Sequence, residues 1–203
     1  MRKKPLCFFM SFILLSIMFS SVIHAGDSQQ PEIVDEIGDA FGYIDITSVW
    51  FYEKEEEPNY LFVDMEINTP SETTFQQTFA AFWTFGRVTY FVSLHLGFDF
   101  FNWTKYNTGI HRTRLYIFPV EGTYDFDSGI ITWKISKDLV GNPQPGDVLT
   151  NTWSNAFRRL GFIGRIGFTR YLPDAIILRV FGNNMWDYAP ERGSYGSDYV
   201  IKY

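Results

Sequence analysis

Carboxylates crowd one short stretch of this chain, PEIVDEIGDAFGYIDI, where Asp35, Glu36, Asp39 and Asp45 follow one another with Gly38 among them as a residue that permits a tight turn. Calcium is a hard cation that takes about six to eight oxygen ligands, several of them carboxylates, from a loop able to wrap it. Asp35, Asp39 and Asp45 are accordingly the candidate calcium ligands, and they supply two or three of the oxygens such an ion needs. Their spacing does not match an EF-hand loop, and the plainer reading is a solvated, turn-forming run. Asp147, in PQPGDVL, reads as a turn residue first and a ligand second.

A second candidate is the ring cluster Phe98, Phe100, Phe101, Trp103 and Tyr106, beside turn residues. A flat ring exposed on a sheet stacks against a sugar and serves equally as a protein contact. If the chain binds a glycan, Phe101, Trp103 and Tyr106 would stack, and Asn102 and Asn107 would hydrogen-bond to hydroxyls. Asn102-Trp103-Thr104 is also an N-glycosylation sequon, which predicts an exposed loop at this point. Against this stands the ordinary fate of large rings, which is burial. Trp50 and Trp133, inside strand-like runs, are expected in the core.

Catalytic motifs are missing. There is no HExxH, GxSxG or phosphate-binding glycine loop, and no catalytic residue is assigned. His95 and His111 are 16 positions apart, on what read as different strands; His95 is expected on a half-exposed strand face. Paired carboxylates about 5–10 Å apart would suffice for glycoside hydrolysis, but nothing selects a pair.

The elements that must position these residues are strands. Asn59 to Asn68 alternates, with Leu61, Val63, Met65 and Ile67 on one face and Tyr60, Phe62, Asp64 and Glu66 on the other. Val88, Tyr90, Val92, Leu94 and Leu96 form a second such face. Gly129 to Ser136 turns Ile131, Trp133 and Ile135 inward. Tyr43 to Tyr52, Arg112 to Phe118, Ala175 to Phe181 and Asp198 to Tyr203 also read as strands, and EKEEEP (Glu53 to Pro58) as a hairpin loop. Only Ser136 to Val140 and Ser154 to Leu160 suggest short helical turns. The expected fold is all-β, a two-sheet antiparallel sandwich of jelly-roll or immunoglobulin-like type, with a closed barrel as competitor.

The first 25 residues read as an export signal. Arg2, Lys3 and Lys4 precede an apolar run from Leu6 to Phe19, and Ala25 is a small residue at the expected cut. An uncleaved anchor is the alternative, although a bilayer span needs about 20 apolar residues and this run is shorter and interrupted by serines. Residues 26–30 read as a polar leader and 31–203 as a single domain. The only cysteine, Cys7, leaves with the signal, which removes disulfides, thiolate zinc sites and a cysteine nucleophile. It lies at the start of the apolar run, where it would not be lipidated. Three of the 17 basic residues and none of the 23 acidic ones lie in that segment, which leaves a formal charge of −9. Such a surface repels nucleic acid and anionic lipid.

Three segments carry a resemblance. PEI-x-D-x-x-GD-A (Pro31 to Ala40), ITW-x-IS-x-x-LVG-x-P-x-x-GD (Ile131 to Asp147) and the closing NNMWDYAPERGSYGSDYVIKY resemble exported β-sandwich domains of the DOMON and family 9 carbohydrate-binding-like groups, and uncharacterised surface domains of archaea. The resemblance implies a domain that binds sugars, haem or neighbouring domains, often with calcium in a loop. The chain departs from it in lacking the Met and His pair of a haem-binding member. It also offers no aromatic pair that aligns with a known sugar cleft. The expected protein is a secreted or cell-surface, non-catalytic binding or surface-structural module, with a glycan or a cell-surface protein as partner. The alternatives are a cell-envelope interaction module without a small-molecule ligand, an extracellular glycoside hydrolase, and a barrel around an apolar ligand.

Overall fold

A computed structural model describes residues 26–40, 43–70, 77–96, 100–107, 118–158 and 186–203. Twelve strands run through them: β1 (Ile33–Val34), β2 (Ile46–Tyr52), β3 (Tyr60–Ile67), β4 (Gln77–Phe85), β5 (Val88–Leu96), β6 (Phe100–Asn107), β7 (Phe118–Pro119), β8 (Glu121–Asp125), β9 (Ile130–Ser136), β10 (Val148–Arg158), β11 (Trp186–Ala189) and β12 (Tyr199–Val200). The one helical element among the described residues is a 3-10 turn over Lys137–Val140, as the sequence predicts. The strands form two antiparallel sheets, ordered β1-β2-β3-β9-β8 and β11-β10-β4-β5-β6-β7, with β12 also paired to β10. The sheets pack face to face, so the sandwich expectation holds and the barrel does not.

The predicted alternation explains the packing. Leu61, Val63, Met65 and Ile67 of β3, Ile131, Trp133 and Ile135 of β9, and Tyr90, Val92 and Leu94 of β5 all turn into the layer between the sheets. Rings cross that layer. Phe51 of β2 meets Trp83 of β4 edge-on at 5.7 Å and Tyr199 of β12 at 6.0 Å, and Phe79 of β4 meets Tyr124 of β8 at 6.0 Å.

Three expectations need correction. Ser154 to Leu160 is no helical turn, since β10 runs through Arg158; there Ser154 and Ala156 face the core while Asn155 and Phe157 alternate outward, held between β4 and β11. Pairing on both sides overrides the local helix preference of Ala and Arg. The sequon Asn102-Trp103-Thr104 lies inside β6, not on a loop. Trp50 is buried as expected, on the face of β2 opposite Val49 and Phe51. The strand expected over Asp198 to Tyr203 forms only at Tyr199–Val200. Arg112 to Ile117, Ala175 to Phe181, Leu160, His111 and the predicted signal lie outside the described residues.

Candidate metal centre

Where β1 ends and β2 begins, the chain makes a loop that ties the first sheet to the edge of the second. Asp35 follows β1, and its N–H donates to the Thr47 carbonyl. Gly38 holds φ at 96°, a left-handed conformation that suits glycine, and its N–H donates to Asp45 Oδ2 at 2.9 Å. Asn68 Nδ2 donates to the same oxygen at 2.7 Å. Asp45, fully buried, thereby fixes the loop.

From across the sandwich comes Asp187 of β11. Its neighbours Trp186 and Tyr188 face outward, so the two-residue period turns Asp187 inward, where it is 2% exposed. Its Oδ2 accepts the N–H of Ile46, the first residue of β2. One carboxylate oxygen from each of Asp35, Asp39 and Asp187 lies within 4.8 Å of the other two. The structure therefore brings the predicted Asp35 and Asp39 together, adds Asp187, and places Asp45 beside the set as a support whose second oxygen remains available.

The electrostatics are those of an incomplete site. Asp35 Oδ2, Asp45 Oδ1 and Asp187 Oδ1 are buried without a hydrogen-bond partner. Burial pushes the Asp187 carboxyl up to about 7 and that of Asp35 up to about 6, and the charges of the neighbouring aspartates add to both shifts. Asp39 is raised for the same reasons, burial first and Asp45 next. Buried polar atoms are almost always satisfied, and two of these oxygens belong to the Asp35, Asp39 and Asp187 group, where either a shared proton or a cation would satisfy them. Oxygens that share one calcium at about 2.3–2.6 Å stand no more than about 5 Å apart, whereas magnesium at about 2.1 Å would draw them within about 4.2 Å. Separations of up to 4.8 Å are within reach of a shared calcium.

Asp187 escaped the sequence reading because it lies more than 140 positions from the acidic run; the available signal was an acid at the inward phase of a short alternating strand. The other candidates are dispersed. Phe101 and Trp103 sit in register with Leu94 and Val92 of β5, both core residues; Asn102, Tyr106 and Asn107 pair with Ser93, Thr89 and Val88. His95 is half-buried on the outer face, as expected, with Nδ1 3.0 Å from Thr78 Oγ1 and Nε2 3.2 Å from Ser93 Oγ. Among the described residues the group of three or more possible metal ligands is the one around Asp187, which is 2% exposed. Compared with known proteins, the chain matches no family model, no curated protein and no solved structure.

Proposed function

We propose that this is an exported, non-catalytic β-sandwich, acting at or beyond the cell surface as a binding or structural module, in which calcium held by Asp35, Asp39, Asp187 and Asp45 fastens the two sheets together. The observation that carries the reading is the set of buried, unpartnered carboxylate oxygens on Asp35, Asp45 and Asp187. Export and calcium support one another. A site with few protein carboxylates belongs to the weaker class, with dissociation constants of about 0.1–1 mM, which fills where calcium is abundant outside cells.

The test is thermal unfolding of the protein in millimolar calcium, in magnesium and in chelator. Calcium at about one to ten times such a dissociation constant adds about 0.4–1.4 kcal/mol, which in a chain of this size moves Tm by about 1–5 °C. A Tm that is the same in calcium and in chelator removes the site.

A glycan-binding reading draws on the outer face of the second sheet. There Trp153 of β10 stacks on Phe82 of β4 at 3.7 Å and 7°, and Phe82 stacks on Phe91 of β5 at 4.8 Å. Trp153 and Phe91 are half-buried, so a ring edge remains accessible beside β6. On a glycan array, Trp153→Ala and Phe91→Ala should each weaken binding tenfold or more; unchanged binding in both variants rejects this reading.

A further inference from the structure

The start of the predicted mature chain meets a buried carboxylate that lacks a counter-ion. Glu32 is 7% exposed, and its Oε2 accepts the N–H of Phe51 at 2.8 Å. Gly26 lies directly against it: a Cβ added there would collide with both carboxylate oxygens of Glu32 and with the Phe51 carbonyl. The turn that follows is pinned, with Asp27 Oδ1 accepting the N–H groups of Gln29 and Gln30. The chain thus bends at 27–30 and returns at Glu32 to its own beginning.

The charges around this carboxylate are of its own sign. Asp27 acts on Glu32, and Glu32 acts in turn on Tyr199, whose hydroxyl donates to Glu53 at 3.2 Å. The cation packed nearby, Lys137, is already engaged by Glu53 and the Tyr203 carbonyl. A buried carboxylate in such surroundings is costly unless a positive group joins it.

We propose that Glu32 receives the α-ammonium group created on Gly26 when the export signal is cut after Ala25, so that processing itself supplies the missing counter-ion. The inference rests on the export reading above and is independent of the calcium site. Hydrolysis of the Ala25–Gly26 amide leaves a carboxylate on the departing signal and an amine on Gly26, which takes up a proton at neutral pH. The amine nitrogen lies one bond of about 1.5 Å from the Gly26 Cα, beside which the Glu32 carboxylate occupies the place a Cβ would take. Glycine is required at this position because any side chain would occupy the carboxylate's space. The ammonium–carboxylate pair is a charge-assisted hydrogen bond, the stronger kind.

The experiment expresses the full precursor in an exporting host and collects the processed product. Intact mass identifies its first residue, and NMR titration follows the Gly26 amine. The expected product begins at Gly26, with an amine that titrates at least one pH unit above the ordinary value of about 7.7–8.0. That elevation should vanish in Glu32→Gln. A chain carrying one extra alanine before Gly26 should show a folding equilibrium constant about ten- to a hundredfold lower. A product beginning at Gly26 with an ordinary amine titration, or with unchanged stability on adding alanine, overturns the pocket and leaves export standing. A product beginning elsewhere overturns the predicted cut and the pocket with it. Should Glu32→Gln fail to fold, the titration of the unaltered chain decides.

Discussion

Asp187 differs from the other acids of the site in what its two oxygens do. One is spent on the Ile46 N–H, and the other is buried and unpartnered. An asparagine retains the first interaction and deletes the charge, so Asp187→Asn should invert with conditions. In chelator the variant is at least as stable as the parent, because like-charge repulsion is relieved; in calcium it is less stable, because a ligand is lost. Melting curves in the two buffers check the crossing. The pH dependence follows from the raised carboxyls. With native values of about 6 and 7 against an unfolded value of about 4, the folded state holds protons that the unfolded chain has released. In chelator, stability is therefore highest below pH 4 and declines as pH rises through 6 to 7. Calcium displaces those protons and should flatten the decline, which a Tm series from pH 4 to 8 would show. Asp35 and Asp39 were legible in the sequence because they stand four apart around a glycine. Asp187 was not, since only the closing of the sandwich delivers it.

Strand β10 shows why elements were only partly legible. Its inward residues are Leu149 on one side of Asn151 and Ser154 and Ala156 on the other, which are of opposite parity. An extra residue between Thr150 and Trp153 resets the phase, with Asn151 in the left-handed region at φ 51°. That bulge breaks the alternation a strand reading depends on and lends the segment a helical look. β4 was missed for the opposite reason: Phe79 to Trp83 is buried on both faces and shows no alternation. By contrast, β3, β5 and β9 each bury one clean phase and were readable throughout. Asn151→Gly should be neutral within about 0.5 kcal/mol, and Asn151→Val should cost about 1–2 kcal/mol through its left-handed backbone. Deleting the residue should abolish folding, because a one-residue slip turns Ser154 and Ala156 out of the core. Urea unfolding of the three variants distinguishes these outcomes.

For the molecule as a whole, the two-sheet architecture followed from composition and period, while its joints did not. One joint is the acidic cluster. The other is the ion pair of Lys137 with Glu53, where the Lys202 N–H also donates to Glu53. Removing one partner from a buried pair costs about 3–5 kcal/mol because the remaining charge is stranded. Lys137→Met should therefore destabilise by that amount, and adding Glu53→Leu should recover most of it, as read by denaturant midpoints. Such pairings lie beyond sequence inspection, since they link residues 84 positions apart.

In the first sheet β2, which precedes the connection at 53–59, is paired along its length with β3, which follows it. A protease that severs the backbone once at 53–59 would thus release nothing, because each piece lacks strands that the other holds. The nicked material should elute as a single species from a sizing column and separate into two bands only after denaturation. The same pairing makes that connection a natural place to divide the gene into a short and a long piece that restore the domain on mixing.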